Sequence, residues 1–390
     1  MMWYGDRFKL HGLFSVRLCQ EVSGMRRISV YSLKPGHLVA RPVYNSSGQV
    51  LLQCGARVSK RYIDRLLEMG VFTLYIEDDF SADIKPEDII SDELRMRSNL
   101  LIKNLFSRQK AGHARGQTSA EMARITAVVN DIIDELLANR STMINLMDIR
   151  AHDDYLFGHS VNVCVLAVLT GIALHFSRTK LFHLAMGSLL HDIGITRLDR
   201  GIGGRKRELT AEERRQFEMH PLYGYEILSR DLHTGKLCAI IALQHHERYS
   251  GHGYPKGLQQ DEIHEMAAIT GLADMYDELT SAVIQQRVLP PNEVYEMISG
   301  AGDSLFAFNL VKAFLTNITP YPVGTLVKLN TGETAIVIEN NKGLPLYPKI
   351  RVLCHEDGRL LKEPVELWLP EDRTKTIVAV VENLPGQEAG

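Results

Sequence analysis

The sequence predicts a mainly α protein, with one large helical domain flanked by small β-rich N- and C-terminal domains. Three observations predict it. Apolar residues recur at helical spacing through residues 153–316, short alternating runs bounded by turn residues fill residues 28–77, and the strand-like pattern returns after Pro320. A chain of 390 residues is long enough for two or three domains and a sizeable core. Its apolar fraction of 45% and charged fraction of 23% are ordinary for globular proteins. The net charge of −3 provides no general attraction to nucleic acid, so no DNA partner is expected. Five cysteines lie scattered without CxxC spacing and read as reduced thiols, Cys164 and Cys238 as core fillers. The longest apolar run, residues 161–174, is short for a bilayer. No membrane association and no signal peptide are expected, and the location reads as cytoplasmic.

Residues 1–24 show no clear period and are expected to be either upstream of a true start at Met25 or a disordered arm. Residues 20–22 can be encoded by a purine-rich stretch like a ribosome-binding site, which suits a bacterial source. Residues 25–80 read as a small β-rich accessory domain: strands at 38–40, 43–44, 50–52 and 71–76, and a short helix over 59–70 capped by Ser59 and stopped by Gly70. Residues 81–150 read as a helical linker, with amphipathic helices 92–109 and 119–139 on either side of the polar break 111–118. The pairs Ile132-Ile133 and Leu136-Leu137 recur at helical spacing, which suits a neighbouring helix or a homodimer partner. Residues 151–317 form the helical domain, and 320–385 a small β domain with strands at 326–329, 334–338 and 350–353.

Chemistry concentrates between His159 and Asp274. His159 is expected to open the apolar helix 160–174, and His191-Asp192 to close helix 180–190. His220 precedes Pro221, His245-His246 closes helix 234–244, and Asp274 interrupts the apolar run 267–276. A single buried histidine reads most simply as a hydrogen-bonded core residue. Seven nitrogen and oxygen donors, most at the margins of apolar helices, read differently, because burying adjacent ionisable groups is costly unless a cation compensates them. The set lacks thiolate, which disfavours structural zinc and suits iron or manganese. Two divalent ions about 3.5–4 Å apart could share a hydroxide and clamp a phosphate.

At these residues the chain resembles the HD-GYP branch of the HD superfamily of metal-dependent phosphohydrolases, over residues 153–316. The resemblance lies in Tyr155-Leu-Phe-Gly-His159-Ser-Val-Asn-Val163, Leu190-His-Asp-Ile-Gly194 and His220-Pro-Leu-Tyr-Gly-Tyr-Glu-Ile-Leu228. It continues in His245-His-Glu-Arg-Tyr-Ser-Gly-His-Gly-Tyr-Pro-Lys-Gly-Leu258 and Leu272-Ala-Asp-Met-Tyr-Asp-Glu-Leu-Thr-Ser281. It implies an all-helical HD-type domain that hydrolyses cyclic di-GMP through a metal-bridging hydroxide. Carried over by motif, one metal takes His159, His191, Asp192 and Asp274, and the other Asp192, His220, His245 and His246. Some members hold a third metal through a Glu four residues before the first His; Tyr155 stands there, so two ions are expected. Asp192 and Asp277 are the expected catalytic carboxylates, Asp277 as a residue orienting a ligand or a water. Gly253, Tyr254 and Pro255, with Arg248 and Arg287, are the expected substrate contacts, and the Gly-Tyr-Pro loop is also a candidate surface for a signalling protein.

Three departures from the family pattern bear on substrate. Ile195 replaces the Lys of HDxGK, Val283 and Gln286 replace basic phosphate contacts with Arg287 one position late, and Ser250 replaces an Asp. Lost charge-assisted contacts of about 1.5–3 kcal/mol each would weaken binding by orders of magnitude. The basic run Arg197, Arg200, Arg205, Lys206 and Arg207 is either a substitute or a solvated loop. The leading expectation is a cyclic di-GMP phosphodiesterase. The alternatives are an HD-type phosphohydrolase acting on another nucleotide or phosphate ester, and a catalytically weak, metal-bound signalling module.

Overall fold

The computed structural model describes residues 24–385 apart from 45–49, 70, 82, 85, 87, 112–118, 140–154, 204–208, 232–233, 282–288 and 373. The N-terminal residues 1–23 and the polar break after Ala111 therefore lie outside the described residues.

In the N-terminal unit, β1 (Arg26–Ser29) pairs antiparallel with β4 (Thr73–Ile76), and β2 (Val43–Tyr44) with β3 (Val50–Leu52). Helix α1 (Lys60–Glu68) starts where the Ser59 hydroxyl accepts the N–H of Tyr62, and it ends with Met69 as its cap, one residue before Gly70. Ile28, Val30, Leu66, Leu74 and Ile76 form its core.

The helical part comprises α2 (Asp92–Lys110), α3 (Ser119–Ala138), α4 (Tyr155–Ala173), α5 (Arg178–Leu189), α6 (Arg200–Gly203) and α7 (Ala211–Phe217). It continues with α8 (His220–Glu226), α9 (Lys236–Gln244), α10 (Glu265–Thr280), α11 (Pro291–Ser299) and α12 (Phe308–Leu315). α4 is apolar around its whole circumference, so it takes the centre, where α2, α3, α5, α10 and α12 all touch it. Among the described residues its stretch Leu156–Ala173 is long and apolar enough to cross a membrane, and 72% of it is buried inside the fold. This helix is longer than the apolar run read from sequence, because Tyr155, Leu156 and Phe157 extend it beyond the interruption at Gly158, His159 and Ser160.

The linker reading of residues 81–150 needs correction. Ile102, Leu105 and Phe106 of α2 and Ile125, Val129, Ile132, Ile133 and Leu136 of α3 belong to the same core as α4, α5, α9 and α10. Helical periodicity shows that a helix has an apolar face to cover, and here the cover is intramolecular.

The C-terminal unit is a five-stranded antiparallel sheet of β5 (Leu326–Leu329), β6 (Thr334–Glu339), β7 (Lys349–Cys354), β8 (Leu360–Trp368) and β9 (Ile377–Val381), ordered β8-β7-β6-β5-β9. The sequence reading missed β8 and β9, edge strands whose largely exposed residues lack a clean buried alternation. The two terminal units also dock on each other. Arg26 donates to the Glu382 carbonyl at 3.0 Å, the Ser29 N–H donates to the Glu382 carboxylate at 2.8 Å, and Arg351 grips both oxygens of Asp83 at 2.6 Å. Ile84 completes an apolar cluster with Leu326, Ile336 and Leu353.

Candidate metal centre

Five chain segments converge on one buried point. His159 lies in the second turn of α4 and Asp274 lies mid-way along α10, so both project from helix interiors rather than from margins. His191 and Asp192 occupy the turn after α5, His220 is the first residue of α8, and His245 caps α9 with His246 following. All seven side chains are at most 6% exposed.

Asp192 sits between two groups. Its Oδ2 is 3.8 Å from His159 Nε2 and 3.6 Å from His191 Nε2, while its Oδ1 is 3.2 Å from His220 Nε2 and 3.7 Å from His245 Nε2. Asp274 Oδ1 lies 3.0 Å from His159 Nε2 and 3.6 Å from His191 Nε2, and its Oδ2 lies 3.7 Å from His246 Nδ1. One ligand atom each from Asp192, His220, His245 and His246 falls within a 4.8 Å cluster, and so does one each from His159, His191 and Asp192.

The far side of four rings explains how their near sides are aimed. The Nδ1–H of His191 donates to the Ser188 carbonyl at 2.7 Å, that of His220 to Phe217 at 2.8 Å, and that of His245 to Ala242 at 2.8 Å. His159 donates its Nδ1–H to Asp277 Oδ2 at 2.7 Å. A neutral imidazole with its proton on Nδ1 keeps a lone pair on Nε2, and all four point inward. His220 Nε2 and His245 Nε2 face each other at 3.3 Å, lone pair against lone pair, an arrangement that a cation between or beside them relieves. His191 Nε2, His246 Nε2, Asp192 Oδ1 and Asp274 Oδ2 are buried with no hydrogen bond among the described residues. The residues present therefore fit a bound metal.

Electrostatics divide the rings: burial holds His245 and His246 toward the neutral form, while at His159 and His191 the neighbouring carboxylates outweigh burial and raise the ring. Burial pushes the His245 imidazolium down to about 4, helped by His191 and His220, and burial beside His245 holds His246 well below its ordinary range. Burial alone would raise Asp192, but the imidazoles of His191, His220 and His245 hold it well below the usual carboxylate range. Burial opposes protonation of His159 as well, yet Asp274 and Asp277 outweigh it and raise this ring to about 10.

Two glycines allow the ligands to approach. A Cβ on Gly194 would stand 2.0 Å from the His220 carbonyl oxygen, and one on Gly271 would stand 2.0 Å from that of His245. The backbones bearing His191-Asp192 and Asp274 can pack against those bearing His220 and His245 only because no side chain intervenes. Sequence reasoning did not single out either glycine for this role, although Gly194 stands inside the quoted motif.

The Gly-Tyr-Pro loop is held beside this centre. The Tyr254 ring stacks on His246 with centroids 4.6 Å apart, and the Tyr254-Pro255 peptide is cis. Gly253 approaches the backbone of residues 246–248 so closely that a Cβ would lie 2.4–2.5 Å from it. Glu247, 1% exposed, accepts the N–H groups of Lys256 at 2.8 Å and Leu258 at 2.9 Å and so fixes the loop. Sequence reasoning missed Glu247, though an acid directly after His-His in a buried stretch was a usable signal. Arg248, expected at the substrate, turns its guanidinium back to the carbonyls of His245 and Glu247 at 3.0 and 2.9 Å and lies over the Phe306 ring. Ile195 is buried in an apolar cluster with Leu198, Ile202 and Phe217 rather than presented at an open phosphate site. Asp277 meets the centre through His159, whose Nδ1 lies 2.7 Å from its Oδ2. Arg197 pairs with Glu226 at 2.5 Å. Val283, Gln286, Arg287, Arg205, Lys206 and Arg207 lie outside the described residues.

Residues 114–305 match the HD domain family, and residues 326–384 match the KOW domain associated with HD domain. A cyclic di-GMP phosphodiesterase of Pseudomonas aeruginosa is 29% identical over 254 residues, which cover 64% of this chain and 61% of that protein. A 3′3′-cGAMP-specific phosphodiesterase of Vibrio cholerae is 34% identical over 140 residues, 36% of this chain and 30% of that protein. Among solved structures, an HDG"Y"P protein from Bdellovibrio bacteriovorus aligns with 75% of this chain and 98% of its own at 15% identity and a TM-score of 0.44.

Proposed function

We propose that the chain is a member of the HD domain family, in its HD-GYP branch, and a metal-dependent phosphodiesterase hydrolysing cyclic di-GMP. The observation that carries the reading is the buried convergence of four anchored imidazole Nε2 atoms on two carboxylates. His159, His191, Asp192 and Asp274 would hold one divalent ion, and Asp192, His220, His245 and His246 the other. The all-nitrogen-and-oxygen donor set suits iron or manganese. When bound, such ions supply Lewis acidity toward a phosphodiester and lower the pKa of water to near neutrality.

The protein's own contribution is orientation and charge. Backbone carbonyls and Asp277 lock the rings in the binding tautomer, and Asp192 keeps the two donor groups in register. Two carboxylates against neutral rings offset only part of the charge of two divalent cations, so the site keeps a positive field for a phosphodiester. Stacking of Tyr254 on His246 ties the loop at the rim of the site to a ligand.

The test is anaerobic purification of the full chain, metal analysis, and incubation with cyclic di-GMP beside a panel of other cyclic dinucleotides. Metal-dependent conversion to a linear dinucleotide is expected, abolished in His191→Ala and His245→Ala. A fully metallated protein that binds a cyclic dinucleotide tightly and turns over none would overturn the enzyme reading. Turnover of cyclic GMP-AMP without turnover of cyclic di-GMP would keep the reaction and replace the substrate.

A further inference from the structure

Behind His159 a chain of buried polar groups runs outward to a different helix. Asp277 accepts the His159 Nδ1–H through Oδ2 at 2.7 Å and the Asn162 Nδ2–H through Oδ1 at 2.8 Å. Asn162 in turn accepts at Oδ1 from Arg95 Nη1 on α2, also at 2.8 Å. Asp277 is 1% exposed and Asn162 2%. A carboxamide has one donor end and one acceptor end, so whatever meets the outer end decides which end meets Asp277. A guanidinium carries donors only. Arg95 therefore demands Oδ1, which leaves Nδ2 for the carboxylate. The amide turned the other way would set oxygen against oxygen at Asp277 and loosen its grip on His159.

We infer that Arg95 is a positioning residue for the metal ligand His159, acting through Asn162 and Asp277; this rests on reading the seven-residue cluster as a metal centre. The link adds a polar tie to the apolar packing of α2 in the helical domain. The start of that helix is itself held from the N-terminal unit, where Arg41 pairs with Asp88 and with Asp92 at 3.1 Å. Groups that orient a metal-binding imidazole typically carry about 10- to 100-fold in metal affinity.

The test titrates Mn2+ into the metal-depleted full chain by calorimetry. His159→Ala and His220→Ala identify which binding event belongs to which donor group. Arg95→Ala is expected to weaken the His159 event about tenfold or more and to leave the His220 event unchanged. Arg95→Lys, which can still donate to Asn162 Oδ1, is expected to restore most of that affinity, a rescue that general loss of packing does not produce. Asn162→Asp, similar in size but without the donor toward Asp277, should weaken the same event and gives a second route if Arg95→Ala fails to fold. The inference is overturned if Arg95→Ala binds Mn2+ at both events as the parent does, or if the two events weaken together without rescue by lysine. If His159→Ala and His220→Ala both bind Mn2+ as the parent does, the metal-centre reading itself fails, which is a separate result.

Discussion

Gly271→Ala adds a single methyl group where α10 crosses the end of α9. The new Cβ would stand 2.0 Å from the His245 carbonyl oxygen and 3.1 Å from its carbon, whereas ordinary contact begins at 3.4 Å. The obstacle is backbone, so no rotamer change removes it, and the two segments must part by roughly 1 Å or more. Overpacking of this kind costs about 1–3 kcal/mol. For a domain of this size that lowers Tm by roughly 2–12 °C. The function should suffer more than the fold. Asp274 follows one turn later on the same face of α10, 3.6 Å from His191 and 3.7 Å from His246. Ligand distances at a metal site tolerate only about 0.2 Å, so the donor group containing Asp274 should lose at least tenfold in Mn2+ affinity. Thermal unfolding by circular dichroism and Mn2+ content after dialysis read the two effects. Gly201→Ala is the control, since a Cβ there meets nothing within 4 Å. A Gly271→Ala protein with parental Tm and parental metal content would refute the argument that close backbone approach builds the site.

Three further outcomes are expected. Asp192→Ala should lose both ions, because its two oxygens face the two donor groups separately; elemental analysis showing full metal in a folded variant would remove Asp192 as the bridge. Ile195→Lys restores the residue of the family motif but places an ammonium among Leu198, Ile202 and Phe217, so it should lower stability by about 2 kcal/mol or more; a parental urea midpoint together with tighter cyclic di-GMP binding would contradict this. Glu247→Ala leaves the Lys256 and Leu258 amides without their acceptor, a loss of about 1.5–3 kcal/mol for each hydrogen bond to the carboxylate; amide hydrogen exchange at these two residues should quicken at least about tenfold, and unchanged exchange would show that the loop is held by something else.

The donor set was legible in the sequence because metal binding restricts residue type, and the ligands sit in short motifs that survive as strings. His191-Asp192, His220-Pro221 and His245-His246 could be named without coordinates, and Asp274 betrayed itself as a carboxylate in an apolar run. Helix α4 and the capped start of α1 were legible for a similar reason: periodicity and capping act over a few residues. The edge strands β8 and β9 were not, because strands exposed on their outer edge carry little alternation.

Tertiary structure decided everything that depends on which distant surface meets which. The sequence by itself determined that Asp277 was a carboxylate near a candidate ligand; only packing of α10 against α4 made it the anchor of His159, 118 residues away. Likewise, the apolar faces of α2 and α3 were written in the sequence, but their burial in the main core, the docking of the terminal β units, the packing of Ile195 in an apolar cluster and the turn of Arg248 toward the His245 carbonyl were not. A residue's type and spacing record what it needs to bury or bind. The identity of the group that satisfies the need is fixed only when helices pack closely enough, as at Gly194 and Gly271, for the chain to choose among its own surfaces.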